Sequence, residues 1–323
     1  MSAVITNPIQ NIPVNPKSHV HGWTQVWKNK LDATINHKCT HDILNADTVF
    51  VDHGANFGGT LNLFGGVTKD VFDRIELVAS CDDIVSLDWD MPDYGAMLKT
   101  RIGNKSTYEG VTEEWCDKIS KRLSNVKSLK MENLDARSVT IGDSHTIAFS
   151  AGGDSVYRTD GKTLFGALKS GLSNLKRGVG NIESCTLSLG SIDIRHHMLR
   201  RDLNLDELIR EYVKQGDDIA RNVLYSFPVP VEYEDRKIPK TGYYKGTPFF
   251  GSMIERKQIT EQFKELLMKH SNGRVVAPPE EWYHMDPKKY ADTYMETGSS
   301  VHIAPPYHRR NDWGISGLSF LEM

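Results

Sequence analysis

The chain has 323 residues, which is enough for one large domain or two medium ones, each with a substantial hydrophobic core. Hydrophobic residues make up 39% of the chain and charged residues 25%, and the formal net charge is −3, so the composition gives no signal for a general nucleic-acid-binding protein. Because no apolar run approaches the roughly 18 residues that span a bilayer, and no secretory signal is recognisable, we expect a cytoplasmic protein with no membrane partner.

The N-terminal residues divide into an arm and the start of an α/β region. Residues 1–21 carry three prolines among asparagines, which predicts an extended N-terminal arm. Residues 47–54 predict a buried strand, and the glycine-rich stretch 54–66 predicts the loop that follows it. Such loops hold phosphate groups in some proteins, but this glycine spacing matches neither the dinucleotide-binding motif nor the P-loop. We therefore favour a tight loop and expect no cofactor.

Region 22–134 continues with helical and strand patterns. Residues 68–80 predict a helix, residues 83–89 a second strand, and residues 111–123 an amphipathic helix that Thr112 caps. This order resembles the half-Rossmann lobes of sugar-nucleotide transferases. Two interpretations stay open for this region: a separate Rossmann-like lobe, or an extension of the sheet in the rest of the chain.

Residues 135–323 show a regular alternation of strand and helix patterns. Strands are predicted over 138–142, 185–191, 222–229 and 273–278, and helices over 161–175, 204–220 and 255–270. Strands that alternate with helices of this length imply right-handed crossover connections, and hence the α/β fold class with a doubly wound parallel sheet. In such sheets, reactive groups gather at the carboxyl ends of the strands.

A small polar cluster follows the strand predicted at 138–142. Gly142, Asp143, Ser144 and His145 come directly after its apolar residues. A serine hydroxyl becomes a good nucleophile only when a base accepts its proton, and the tetrahedral intermediate needs donors for its oxyanion. A serine on a tight turn at a strand end suits this chemistry, although a serine there also commonly caps the segment that follows.

Three blocks in this order resemble the SGNH, or GDSL-type, hydrolase superfamily over residues 136–308. They are I-G-D-S-H-T (141–146), G-S-I-D-I-R (190–195), which is similar to a subgroup's G-E-I-D-x-R block, and a late V-H (301–302). The resemblance implies a flavodoxin-like fold and a serine esterase or deacetylase that forms an acyl-serine intermediate. The catalytic residues it implies are Ser144 as nucleophile, His302 as base, and Asp143, Gly190, Asp193 and Arg195 beside them. The substrate-binding residues it implies are Gly166, His145 and His196.

The chain departs from the superfamily pattern at three positions. Ile192 replaces the asparagine that helps to bind the oxyanion, and Ser191 replaces the glutamate of the subgroup. Ser299 stands where the superfamily often has an aspartate, three residues before His302. An imidazole without an orienting carboxylate is a weaker base, so this third departure weakens the expectation of a complete triad.

Two positions of the superfamily pattern have more than one candidate in this chain. Glu296, Asp292 or a backbone carbonyl is a candidate for orienting His302. The glycine of the second block, which supplies an oxyanion donor in the superfamily, is either Gly161 or Gly166. The sequence leaves both choices open.

Asp193 and Arg195 lie two residues apart. If strand geometry persists past Gly190, both side chains point to the same side, which predicts a carboxylate–guanidinium pair that holds this block against the Ser144 turn. Arg195 would then donate to the oxyanion or bind an anionic group of the substrate. By the same geometry, His196 and His197 face opposite ways.

Three functions stay open. The first is a serine hydrolase that acts on an acyl ester. The alternatives are an acyl- or glycosyl-type transferase with a nucleotide-linked donor, and a catalytically inactive SGNH-like binding module. The stretch 227–252, rich in Tyr and Phe, suits a small carbohydrate or nucleoside-type substrate. The 12 histidines lack metal-ligand spacing and the 4 cysteines are widely spaced, so we expect reduced thiols and no metal site.

Overall fold

The computed structural model of the chain describes residues 2–9, 16–17, 19–52, 69–102, 111–134, 136–152, 154–176, 179–201, 203–231, 249–297, 300–309 and 313–316. The chain divides into two compact units. The first consists of Met1–Pro16 and Trp23–Asn133, and the second of Lys17–Gly22 and Leu134–Met323. Among the described residues, no helix has both the length and the apolar character that a membrane crossing requires.

The first unit is built on a five-stranded, all-parallel sheet in the order β2-β1-β3-β4-β5. Its strands are β1 (Ala3–Thr6), β2 (Thr34–Asn36), β3 (Thr48–Asp52), β4 (Ile84–Leu87) and β5 (Lys127–Leu129). Its helices are α1 (His19–Leu31), α2 (Lys69–Ala79), α3 (Tyr94–Ile102) and α4 (Glu113–Leu123), with 3₁₀ turns at His41–Asn45 and Met131–Asn133. The predicted cap of α4 is confirmed, because the Thr112 side chain accepts a hydrogen bond from Trp115 N at 3.1 Å.

The segment predicted as an extended arm, residues 1–21, differs from that prediction. Ala3–Thr6 pairs with β2 on one side and β3 on the other, so it is an interior strand of the sheet, and α1 begins at His19. Burial of apolar surface stabilises this strand in the sheet, because the Ile5 side chain is fully buried in the core. Four residues are too few to show a periodic pattern, which is why the prolines dominated the sequence prediction. The strands of this region form a sheet of their own, so they do not extend the second sheet.

The second unit is built on a six-stranded sheet in the order β11-β10-β9-β8-β6-β7. Five strands are parallel, and β11 adds antiparallel to β10 at one edge. The strands are β6 (Ser138–Gly142), β7 (Ser155–Arg158), β8 (Ser184–Ser188), β9 (Asn222–Ser226), β10 (Val275–Ala277) and β11 (Gly314–Ser316). Counted from β6, the parallel strands follow the flavodoxin-like order 2-1-3-4-5, and the first unit repeats this order. The predicted α/β doubly wound fold is confirmed.

The helices of the second unit follow its strands. They are α5 (Thr146–Phe149), α6 (Leu164–Ser170), α7 (Ser191–His196), α8 (Met198–Arg201), α9 (Leu205–Asp217), α10 (Met253–His270), α11 (Glu281–His284) and α12 (Pro287–Tyr294), with 3₁₀ turns at Leu172–Lys176 and Pro305–Tyr307. The helix predicted over 161–175 is shorter than expected, because Gly171 adopts a left-handed φ of +86° and ends α6. Asn204 caps α9, and its side chain accepts a hydrogen bond from Glu207 N at 3.2 Å.

The order of the second sheet changes direction between β6 and β8. Gly142 and Ser188 are register partners at the carboxyl ends of these two strands. In doubly wound sheets, ligands bind in the crevice at such a switch point, because the loops after the two strands lead to opposite faces. The predicted Ser144 turn follows β6 and the G-S-I-D-I-R block follows β8, so both begin at this crevice.

Candidate functional site

The close approach of two strands sets the start of the Ser144 turn. A Cβ atom on Gly142 would lie 1.9 Å from Ser188 O, a distance that no side chain tolerates. The absence of a side chain at residue 142 therefore lets β6 and β8 stay paired up to their last residues. Asp143 N continues the ladder by donating to Ser188 O at 3.1 Å.

Asp143 shapes the turn that presents Ser144. Its Oδ1 accepts a hydrogen bond from His145 N at 2.8 Å, and its carbonyl oxygen accepts one from Thr146 N at 3.2 Å. This Asx turn places Ser144 at its apex, half-buried. Neither the N–H nor the hydroxyl of Ser144 hydrogen-bonds to another of the described residues, so Ser144 does not cap α5.

His145 contacts three separate segments of the second unit. Its Nδ1 lies 2.9 Å from Asp143 Oδ1. Its Nε2 lies 3.0 Å from Arg195 Nη2 on α7 and 3.0 Å from the carbonyl oxygen of Val301. The ring is buried, with 1% of its side chain exposed. His145 therefore fills an interior position between these segments.

The carboxylate of Asp143 stays charged although it is buried. Burial by itself raises the pKa of Asp143, but the contact with His145 and the nearby guanidinium of Arg195 outweigh it, so that its pKa lies below the usual range. Its second oxygen, Oδ2, is buried and accepts no hydrogen bond from the described residues. Asp143 thus supplies a fixed negative charge beneath the turn.

A short hairpin carries His302 and places a carboxylate beside it. Met295 and Ile303 form an antiparallel bridge, and Glu296 N donates to His302 O at 3.1 Å. Because of this pairing, Glu296 Oε2 lies 3.5 Å from His302 Nδ1. Ser300 links the two: its hydroxyl donates to Glu296 Oε2 at 2.9 Å and accepts from His302 N at 3.1 Å. Of the carboxylates considered for this position, Glu296 is the one that the fold brings to His302.

The surroundings of His302 favour the neutral imidazole. Burial lowers the pKa of His302 to about 4, with smaller lowering effects from His145 and Arg158, whereas Glu296 acts in the opposite direction. The side chain remains 24% exposed. The rings of His302 and His145 lie with their centroids 5.2 Å apart. His302 is therefore uncharged at neutral pH and adjacent to the Ser144 turn.

The G-S-I-D-I-R block forms a helix, and this corrects the predicted strand geometry. Gly190 has a left-handed φ of +109° and is the N-cap of α7. A Cβ atom on it would lie 2.7 Å from the ring of Phe263 on α10. Residues two apart on a helix point roughly 200° apart, so Asp193 and Arg195 diverge and the predicted pair does not form.

Asp193 binds a different helix. Its Oδ2 accepts a hydrogen bond from Leu164 N at 2.6 Å, and its Oδ1 accepts one from Phe165 N at 3.1 Å. These are the first two N–H groups of α6, which have no partner within the helix. Burial raises the pKa of Asp193 to about 6, although the two hydrogen bonds lower it. Asp193 therefore holds α6, whereas Arg195 contacts the Ser144 turn through His145.

The structure also assigns contacts to the remaining predicted site residues. Gly166 N donates to Thr163 Oγ1 at 3.0 Å in the cap of α6, so this amide is already used and is not available to an oxyanion. Gly161 has a left-handed φ of +71° and lies in a turn before that helix. His196 is the last residue of α7, and its ring stacks on Phe249 with centroids 6.0 Å apart.

Sequence reasoning missed Arg158 and Ser300. Arg158 is the last residue of β7 and pairs with Asp160, and its charge lowers the pKa of His302. The strand that carries it is only four residues long, and its position at a carboxyl end is the signal that would have identified Arg158. Ser300 has no signal of its own, because its role depends on the hairpin.

Three predicted features lie outside the described residues. They are the glycine-rich loop predicted over 54–66, the central part (232–248) of the aromatic stretch 227–252, and Ser299. A cavity of about 750 Å³ lies beside α10, α11 and α12. Pro230 and Val231 of the predicted substrate stretch 227–252 line it, but none of the predicted catalytic residues does. The four cysteines are buried and unbridged, and the described residues contain no group of three or more His, Cys, Asp or Glu side chains arranged to hold a metal ion.

A second polar cluster lies at the carboxyl edge of the first sheet. Asp88, which follows β4, accepts hydrogen bonds at Oδ2 from Trp23 Nε1 at 2.6 Å and from Trp27 Nε1 at 2.7 Å. Asp52, the last residue of β3, accepts one from Thr24 Oγ1 at 2.6 Å. Burial raises the pKa of Asp88 to about 6, with a smaller contribution from the charge of Asp52. Three residues of α1 thus bind to the ends of two strands.

The chain was compared with models of protein families, with curated proteins and with solved structures, and none of them matches it. The resemblance to SGNH hydrolases therefore rests on the three sequence blocks alone and stays an expectation from the sequence.

Proposed function

We propose that the second unit is a serine acyl hydrolase in which Ser144 is the nucleophile, His302 the general base and Glu296 the carboxylate that orients it. The observation that carries the proposal is the pair formed by His302 and Glu296, 3.5 Å apart, beside the turn that presents Ser144. A serine at the apex of a tight turn, a neutral imidazole and a carboxylate at its Nδ1 are the three groups that nucleophilic acyl transfer needs.

In the proposed reaction, His302 accepts the proton of the Ser144 hydroxyl while its oxygen attacks the carbonyl carbon of an ester. The tetrahedral intermediate collapses when His302 returns the proton to the leaving alcohol, which leaves an acyl-serine. Water, deprotonated by the same imidazole, then releases the acid. Glu296 holds the ring orientation and stabilises the imidazolium that exists between these steps.

The oxyanion would be stabilised by the Ser144 turn and by a positive charge beside it. The Ser144 N–H has no acceptor among the described residues and lies next to its own hydroxyl, as an oxyanion donor must. Arg158 is close enough to His302 to lower its pKa, so its guanidinium adds positive potential where negative charge develops. As oxyanion-stabilising groups, these two take the place of the Gly166 amide and of the asparagine that the superfamily has at the position of Ile192.

The substrate of the proposed hydrolase is a small acyl ester, of a carbohydrate or a nucleoside-type compound, in the cytoplasm. The aromatic residues of the stretch 227–252 support this substrate class, since aromatic rings pack on sugar and base faces.

A fluorophosphonate probe tests the proposal, because it reacts with an activated serine and forms a stable covalent adduct. The full chain should be labelled at Ser144, and Ser144→Ala should abolish labelling without changing the melting temperature. Ser173→Ala, which alters an exposed serine of the same unit, is the matched control and should label normally. If the native chain is not labelled, Ser144 is not an activated nucleophile and the hydrolase proposal is wrong.

A transferase is the second candidate, and the polar cluster around Asp88 favours it. A doubly wound sheet with buried polar groups at its carboxyl edge is a common place for a nucleotide-linked donor. Calorimetric titration of nucleoside diphosphates and nucleotide sugars into the full chain tests it. A transferase is supported if the native chain binds one of these ligands and Asp88→Asn weakens that binding at least tenfold. If no ligand binds, the transferase is contradicted and the hydrolase remains the proposed function.

A further inference from the structure

Two carboxylate–imidazole pairs lie side by side in the second unit. In one, Asp143 Oδ1 is 2.9 Å from His145 Nδ1, and in the other, Glu296 Oε2 is 3.5 Å from His302 Nδ1. The two rings have centroids 5.2 Å apart and planes inclined at 56°. The proposed mechanism uses only the second pair, so the first needs an explanation.

His145 joins the nucleophile turn to the hairpin that bears His302. One nitrogen binds Asp143 inside the Asx turn, and the other is 3.0 Å from the carbonyl oxygen of Val301, the residue before His302. Arg195 approaches the same nitrogen from α7 at 3.0 Å and is itself fixed by donating from Nε to Ser191 O at 3.1 Å. A single buried ring therefore connects the segments that carry the nucleophile, the base and the G-S-I-D-I-R block.

The protonation state of His145 decides which of these contacts is a hydrogen bond. A guanidinium only donates, so Arg195 binds Nε2 when that nitrogen carries no proton. A carbonyl oxygen only accepts, so Val301 binds Nε2 when it does carry one. A His145 ring that carries a proton on Nε2 therefore binds the His302 hairpin, whereas a ring without that proton binds α7.

We propose that His145 is a positioning residue, which holds the His302 hairpin against the Ser144 turn through its contacts with Asp143 and with the carbonyl oxygen of Val301. This inference rests on the proposed function for its catalytic meaning, but its physical content does not depend on turnover. In this role, His145 acts on the reaction through His302 and does not contact the substrate.

The groups that face His302 from each packed element are consistent with this role. Glu296 faces it from the same hairpin, His145 from the Ser144 turn and Arg158 from β7. Glu296 favours the imidazolium, whereas His145 and Arg158 oppose it.

A histidine that only fills the core is the simpler alternative, and it predicts a different result. Replacing such a residue lowers the stability of the fold but leaves the titration of His302 unchanged. The titration of His302 therefore distinguishes the two roles, and it can be measured whether or not the chain hydrolyses an ester.

The test is an NMR titration of the full chain labelled with [¹⁵N]histidine, in which His302→Gln assigns the His302 signals. The variants are His145→Gln, which keeps a polar group for Asp143 or Val301, and His145→Asn, which is shorter. His284→Gln removes an exposed histidine of the same unit and is the control. We expect the apparent pKa of His302 to rise by about 0.5–1 in both His145 variants and to stay unchanged in the control.

Hydrogen exchange measured by mass spectrometry supplies the second readout. Peptides covering residues 296–302 should exchange faster in His145→Asn than in the native chain, because the contact with Val301 is lost. An unchanged His302 titration in both variants overturns the inference, even if their melting temperatures fall. Failure of the native chain to react with the fluorophosphonate probe overturns the hydrolase proposal instead, while the titration still decides the role of His145.

Discussion

Glu296 lies six residues before His302 in sequence, yet its Oε2 is 3.5 Å from the Nδ1 of His302. The antiparallel bridge between Met295 and Ile303 folds the chain back on itself and brings the two side chains together. In the superfamily that this chain resembles, an aspartate three residues upstream often takes this place. In the proposed hydrolase, Glu296 would take this place from the opposite arm of the hairpin.

Glu296→Gln should lower the turnover of an acyl ester by about two to four orders of magnitude, the usual loss when a triad loses its orienting carboxylate. The amide keeps the size of the side chain, so the melting temperature should change little. Steady-state kinetics on a chromogenic acetyl ester measure the effect. Glu281→Gln, on the exposed side of α11, is the control and should keep full activity. A Glu296→Gln variant with native turnover would contradict the assignment of Glu296.

The pH dependence of kcat/KM should follow the titration of His302. Its pKa is lowered to about 4, so the base is already neutral at pH 6, and activity should be nearly constant from there to pH 8. Activity should fall only as the pH drops through about 4, where the imidazole gains its proton. A profile whose acid limb lies near the ordinary histidine pKa of about 6.5 would show that another imidazole is the base.

The same depressed pKa affects stability. Unfolded His302 takes up a proton below about 6.5, whereas folded His302 resists it until about 4, so the fold loses stability as the pH falls between these values. Removal of the imidazole in His302→Gln should make the free energy of unfolding less sensitive to pH in this range. Urea titrations at pH 7 and pH 5 measure the difference, and an equal loss in variant and native chain would argue against burial as the cause of the low pKa.

Asp193→Ala should destabilise the second unit by about 1–3 kcal/mol, because Leu164 N and Phe165 N would lose their acceptors at the buried start of α6. Asp193→Asn keeps one acceptor and should cost less. Urea denaturation followed by circular dichroism gives both values. The exposed Asp160→Ala serves for comparison, since Asp160 lies near the same helix but pairs with Arg158 instead. Equal stabilities of Asp193→Ala and the native chain would be incompatible with the capping role.

Gly190→Ala should destabilise the fold by about 1–3 kcal/mol, since the new Cβ would lie 2.7 Å from the Phe263 ring at a φ of +109°. In the Gly190→Ala background, Phe263→Leu should recover part of the lost stability, because it removes the clash with the ring but leaves the backbone strain. Thermal unfolding of the two single variants and the double variant separates the contributions. Gly180→Ala, where no atom lies within 4 Å of the new Cβ, is the control.

Much of the fold was predictable from local patterns. The strand over 138–142 and the helices over 204–220 and 255–270 correspond to β6, α9 and α10 within a few residues. These elements have strong apolar periodicity, and residues such as Val139, Ile209 and Phe263 are fully buried. The elements that were missed, such as β1 and β7, have only four residues, which is too short for a period to be recognised.

The sequence alone determined the doubly wound architecture, because the alternation of strand and helix patterns permits few other folds. The choice of Ser144 and His302 as candidate site residues came from the resemblance of three sequence blocks to the SGNH superfamily. The sequence could not determine how Asp193, Arg195 and His145 interact. Their contacts depend on the left-handed turn at Gly190, which starts a helix where the pattern suggested a strand, and turns Asp193 towards α6 and Arg195 towards His145. Nor could the sequence identify Glu296 as the carboxylate beside His302, because the bridge between Met295 and Ile303 is what brings the two side chains together. Local periodicity encodes elements, whereas the pairing of side chains across elements is fixed only when the whole unit packs.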